Sequence, residues 1–307
     1  MQRYFPIVAM LVTLLFTVRL SAQNEEPQLA EYQLHPNPDA RLDHAFLAMY
    51  DLDFAKADAE LSQFVAEKPN DPVGPAAQAA SVLFAIFEQH KVLQAEFFAS
   101  DGGYAKRHRV MPDEPSRKHF EEALSHSESL ATQALASNSA DVHSLFALTL
   151  ASGLRADYAA LIEHRDFTAL HFSDVGTGWA GKLLAISPDF CDAYVATGVQ
   201  KYLVSLKPAP MRWMLRLGGI KGDQDQGIRD LQLAADKGRY LAPFARILLT
   251  VAHLRKQERD RAFTLLADLH QQFPHNPLFV EEMAKLRAQL AAPEANMTSM
   301  QSREKGQ

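Results

Sequence analysis

The sharpest local pattern in the chain is Gly176-Thr177-Gly178-Trp179-Ala180-Gly181, which has the spacing of a dinucleotide-binding turn. In such a turn the glycines let backbone amides approach a pyrophosphate at a helix N-terminus. That chemistry needs a strand before the turn, a βαβ unit around it and an acid about 20 residues on. The neighbouring sequence has helical rather than strand periodicity, and Trp179 is bulky for a turn that must admit phosphate. A Gly-rich helix start, with small residues for close packing, is the expected structure. His164-Arg165-Asp166 has the order of a kinase catalytic triplet. It lacks the following Leu, the Asn five positions after the Asp, and the strand lysine and Gly-rich loop that phosphoryl transfer uses. A solvated charge cluster at a helix end is expected there.

Acid–base and metal chemistry are no better served. Glu25-Glu26, Glu121-Glu122 and Glu281-Glu282 are adjacent pairs. Neighbours on a helix point about 100° apart, so such a pair forms no dyad by itself. His119/His126 and His164/His171 are seven residues apart, whereas one-helix metal sites use His-x-x-x-His with a further ligand. We therefore expect no metal site, no cofactor and no catalytic residue. The single cysteine, Cys191, sits in an apolar helical pattern and is expected to be a small buried hydrophobe.

The segment Leu206 to Lys221 is different. It carries Lys207, Arg212, Arg216 and Lys221 and no acid, interleaved with Met211, Trp213, Met214, Leu215 and Leu217. Two readings stand side by side. A short amphipathic helix could meet an anionic membrane or an acidic partner; alternatively, a helix could cap a groove and bury Trp213. Lys106-Arg107-His108-Arg109 forms a second basic stretch. The candidate partner-binding residues are Arg107, Arg109, Arg212, Trp213 and Arg216, since Arg and Trp combine contact area with directional donors.

The composition frames these motifs. Of 307 residues, 47% are hydrophobic and 22% charged, enough apolar surface to exclude a wholly disordered chain. The formal charge of −6 excludes the basic footprint of a nucleic-acid binder. Residues 1–22 have a basic start at Arg3, an apolar run from Tyr4 to Val18, and Leu20-Ser21-Ala22 before Gln23, the layout of a cleaved export signal. An uncleaved anchor is the alternative, although the run is short for a span of about 20 residues. Cleavage would leave 29 basic and 37 acidic residues, a charge of −8. A periplasmic or secreted location is expected, in a chain whose single Cys leaves no internal disulfide.

Residues 23–38 read as a linker with three prolines, and residues 292–307 as a polar tail. Between them lie amphipathic helical segments, expected at 39–51, 53–68, 73–98, 115–137, 140–156, 158–172, 177–187, 189–206, 223–237, 240–256, 258–273 and 277–291. Residues 99–114 and 206–222 read as insertions. Ala57 precedes Pro69 by 12 residues, Ala262 precedes Pro274 by 12, and Gly176 precedes Pro188 by 12. A small residue at a helix crossing followed by a proline-marked turn, repeated at this period, is the grammar of an α-solenoid.

The chain resembles tetratricopeptide repeat (TPR) proteins. The resemblance rests on Ala57-x-x-x-Leu61-x-x-Phe64-x-x-x-x-Pro69 and on Ala262-x-x-x-Leu266-x-x-Leu269-x-x-x-x-Pro274, each similar to the second helix of a TPR. The stretch from Leu183 to Leu278 is similar to divergent TPR arrays through Ser187-Pro188-Asp189, Gly227, Lys237-Gly238-Arg239-Tyr240 and Phe273-Pro274-x-Asn276-Pro277. In the first unit Arg41 and Ala45 stand where the TPR pattern has Trp and Gly-Tyr. The resemblance covers residues 39–291. It implies an all-α, right-handed superhelix of about six antiparallel helix pairs and a groove that accepts a protein or peptide partner without catalysis. The alternatives are an exported helical ligand-binding protein or enzyme, with a cavity under the two insertions, and a membrane-surface adaptor.

Overall fold

Aspartates open four of the helices. Asp53, Asp113, Asp141 and Asp223 each stand one residue before a helix and accept the backbone amide three positions on, which satisfies a donor the helix cannot use internally. Five helices also end alike. The amides of Lys68, Asn138, Ser187, Gly238 and Phe273 each return to the carbonyl four residues back at 2.8 Å.

The computed structural model describes residues 40–93 and 110–289. The expected signal peptide, the 23–38 linker, most of the 99–114 insertion with Arg107 and Arg109, and the 292–307 tail lie outside the described residues. In chain order the helices are α1 (Ala40–Tyr50), α2 (Phe54–Glu67), α3 (Val73–Gln89), α4 (Glu114–Ser137), α5 (Val142–Asp157), α6 (Asp166–Ile186), α7 (Tyr194–Ser205), α8 (Ala209–Leu217), α9 (Gln224–Lys237), α10 (Ala242–Arg255), α11 (Arg259–Gln272) and α12 (277–289). A π-helical turn, Tyr158–Ile162, extends α5, and a 3₁₀ turn, Cys191–Ala193, precedes α7. The described residues contain no strand, so the fold is all-α.

One register of side chains recurs. In α2 it is Ala57, Leu61 and Phe64; in α11, Ala262, Leu266 and Leu269; in α6, Gly176, Ala180 and Leu183; in α9, Gly227, Leu231 and Ala234. All of them are buried. Each fully buried Leu or Phe contributes about 2 kcal/mol by leaving water. The small residue at the head of each set is needed for close approach. A Cβ on Gly176 would come within 3.1 Å of Ser152 Cβ on α5, and one on Gly227 would lie 2.8 Å from the Gly198 carbonyl oxygen on α7.

Among the described residues each helix up to α11 packs on the next described one, with one exception: α7 packs directly on α9, leaving α8 outside the succession. Among the described residues this makes five successive packed pairs, α1/α2, α3/α4, α5/α6, α7/α9 and α10/α11, with α12 following and α8 to the side. The 206–222 insertion therefore holds a helix of its own.

The 158–172 and 177–187 helices expected from the sequence are replaced by the π turn and a single α6 running from Asp166 to Ile186. The glycine run does not break this helix, because Gly176 is held against α5 while the Cβ positions of Gly178 and Gly181 face open space. Helix α5 and its π turn together are long and apolar enough to cross a membrane, but Leu145, Phe146, Ala147 and Ala151 are buried among the other helices.

The succession of helices also returns to its start. Tyr50 of α1 donates its hydroxyl to the Tyr240 carbonyl at 2.9 Å and places its ring 5.5 Å from that of Phe273. Asn276 Nδ2 donates to the Tyr50 carbonyl at 2.7 Å, and the His275 amide donates to Asp51 Oδ1 at 3.0 Å. In the interior the Tyr240 ring lies 5.0 Å from Phe46 and 5.7 Å from Phe146.

Candidate docking surface

Among the described residues, the cleft at the Cys191–Ala193 turn and helix α8 are the two candidates for a functional site. The cleft has a volume of about 230 Å³, and its lining includes His143, Asp189, Cys191, Asp192, Lys237 and Arg239. Nearly all of its charge is used by the fold. Asp192 is buried and accepts the backbone amides of Arg239, Tyr240 and Leu241 at 3.0, 2.9 and 2.6 Å. Burial pushes this carboxyl up from its ordinary range, and the three amides and the Arg239 charge pull it back.

Arg239 pairs with Asp43 of α1, Asp189 accepts from Ser187 Oγ at 2.8 Å, and His143 Nδ1 lies 2.9 Å from Asp71 Oδ2. Burial alone would raise Asp71, but the His143 imidazole and the Val73 amide outweigh it and hold the carboxyl below its usual range. Cys191 is buried, as expected from the sequence, and burial with Asp192 beside it pushes the thiol up, away from a nucleophilic thiolate.

The other sequence motifs come to rest within helices or turns. Gly176 to Gly181 lie inside α6 with no strand before them, so a dinucleotide turn has no frame to stand on, and the expected helix start is in fact a helix interior. His164, at φ 58°, and Arg165 precede α6, with Arg165 bonding Glu163 at 3.3 Å. His164 thus lies off the helix that carries His171. Glu121 and Glu128 both receive Arg155 across the α4–α5 contact, while Glu122 turns to Lys118. Neighbouring carboxylates thus diverge, as helical geometry requires. Among the described residues no group of three or more His, Cys, Asp or Glu is placed to hold a metal.

Helix α8 has the opposite character. Pro208, just before it, and Pro210 near its start favour helix initiation, and Gly218 with Gly219, at φ 88°, ends it. Leu215 is buried and Met211 half-buried, and together they form the inward face. Trp213, Met214 and Leu217 are 65%, 52% and 70% exposed. The reading in which this helix buries Trp213 is thereby overturned: the indole stands outside because α7 and α9 already pack on each other. Arg212 and Arg216 lie along one edge of the exposed face, and Arg212 donates to the Ser205 carbonyl at 3.1 Å, capping the end of α7.

Of the candidate partner-binding residues, Arg212, Trp213 and Arg216 are thus brought together on one nine-residue helix, while Arg107 and Arg109 lie outside the described residues. Met214 and Leu217 join the site through their exposure. Asp43, Arg239 and Asp192 carry no local motif, and only their long-range pairing reveals them. No family model, curated protein or solved structure matches the chain.

Proposed function

We propose that the chain is an exported, non-catalytic TPR-like scaffold, a right-handed solenoid of antiparallel helix pairs that works by offering a docking surface. The succession of packed helices and the recurring register of Ala57, Gly176, Gly227 and Ala262 support the repeat, whose first described helix is also bonded to Arg239, Tyr240 and Asn276. Docking is assigned to α8 rather than to an internal groove. One observation carries this assignment: Trp213, Met214 and Leu217 point out of the fold beside Arg212 and Arg216, whereas Asp43, Asp192 and Arg239 at the cleft are bound within it. Large apolar side chains clustered at a basic helix are surplus to the core and available to a partner.

Site-specific photo-crosslinking in the native host tests the reading. A crosslinker at Leu217 should give a defined adduct, of protein or of lipid, that is lost with Arg216→Glu. The same probe at the exposed Gln232 of α9 should give none. Equal labelling at both positions, or none at either, would remove α8 from the function.

A further inference from the structure

We infer that α8 is an interfacial membrane helix whose partner is an anionic lipid surface. The inference rests on the reading of α8 as the docking element. Successive residues of a helix turn about 100°. Met211 and Leu215 therefore share the face that meets the body, while Pro210, Trp213, Met214 and Leu217 share the face directed away from it. Arg212 and Arg216 fall together along one edge. The helix thus lies flat on the protein with a second apolar face outward and a cationic margin. That is the arrangement of a helix lying in the headgroup plane.

Area selects lipid over protein, and charge selects an anionic lipid. Three large side chains of this kind offer on the order of 500 Å², below the roughly 800 Å² per partner of a stable protein interface. A bilayer needs no matched surface. It takes an indole at the level of its headgroups and rewards each nearby cation roughly fivefold in affinity when its lipids are anionic. Arg212 and Arg216 supply two such charges on the helix, with Lys207 just before it, Lys221 four residues after it and no acid among residues 206–222. The first acid beyond them, Asp223, is occupied as the cap of α9 through the Gln226 amide at 2.9 Å. The remainder of the chain is acidic, so an anionic surface attracts this edge and repels the rest.

The chain has two tryptophans, so Trp179→Phe leaves Trp213 as the sole reporter. The purified protein is mixed with phosphatidylcholine vesicles, with and without phosphatidylglycerol, and followed by indole emission and flotation. A blue shift and co-flotation are expected only with phosphatidylglycerol, weakening with added salt. Arg216→Glu should reduce vesicle affinity by about fivefold or more, and Leu217→Asp should abolish the shift. Both positions are exposed, so circular dichroism melts of the two variants should match the parent. Absence of flotation, or equal binding to neutral vesicles, overturns the lipid assignment. If vesicles fail while the Leu217 crosslinker still yields a protein adduct, the lipid inference falls and the docking role stands; if both fail, both fall.

Discussion

The guanidinium of Arg239 donates two hydrogen bonds of 2.8 Å to the carboxylate of Asp43, across 196 positions of chain. This fork joins the first described helix to the turn before α10, and Asp43 is buried at its end. A bidentate pair of this kind is directional and strong. Arg239→Ala should destabilise the fold by about 2 kcal/mol, and Arg239→Lys by nearly as much because an ammonium cannot fork. The midpoint of urea unfolding measures both.

Asp192 caps α10 from outside that helix. The residue at the helix start, Leu241, makes no side-chain cap, and the Asp192 carboxylate takes its amide together with those of Arg239 and Tyr240. Asp192→Ala leaves three amides, two of them buried, without this acceptor and should cost about 3 kcal/mol. Asp192→Asn keeps one acceptor oxygen and should cost less. A smaller loss for Ala than for Asn in denaturant titrations would contradict the capping role.

The α7–α9 contact depends on the absence of a side chain. A Cβ on Gly227 would come within 2.8 Å of both the Gly198 carbonyl oxygen and the Tyr202 amide, which are backbone atoms that cannot step aside. Gly227→Ala should therefore lower stability by about 2 kcal/mol despite its better helix propensity. Gly178→Ala, where nothing lies within 4 Å, should raise stability by up to about 1 kcal/mol. Opposite signs in thermal melts of the two variants are the expected result.

Burial at the junction of α5 with its π turn pushes the Asp157 carboxyl from 3.8 up to about 7. The folded value lies above the unfolded one, so folding takes up a proton. Its stabilising contribution is complete below pH 3.8 and is lost as pH rises towards about 7. A shift of this size corresponds to about 4 kcal/mol; the side chain is only partly buried, so about 2 kcal/mol is expected. Asp157→Asn should leave stability near pH 4 little changed and raise it at pH 8. Parallel pH–stability curves for parent and variant would exclude a titrating Asp157.

The parts of this fold that sequence reveals are those written in local chemistry. Pro69 and Pro274 mark helix ends, and the sets Ala57/Leu61/Phe64 and Ala262/Leu266/Leu269 mark buried faces, because each signal lies within a few turns of chain. The glycines at 176, 178 and 181 read as a break, yet tertiary contact with α5 carries the helix through them. The Asp43–Arg239 and Asn276–Tyr50 contacts join distant segments and leave no local pattern. At the docking surface the basic and apolar composition of Leu206 to Lys221 is visible in sequence. The outward position of Trp213 is not, since it follows from α7 and α9 excluding α8 from the packed succession.

A linear stack of repeats frays from its ends, because a terminal unit has one neighbour where an inner unit has two. Here the hydrogen bonds of Asn276 and His275 to Tyr50 and Asp51 give α1 a second neighbour from the far end of the sequence. Neither end of the described helices should peel away alone, so they are expected to melt as one cooperative unit.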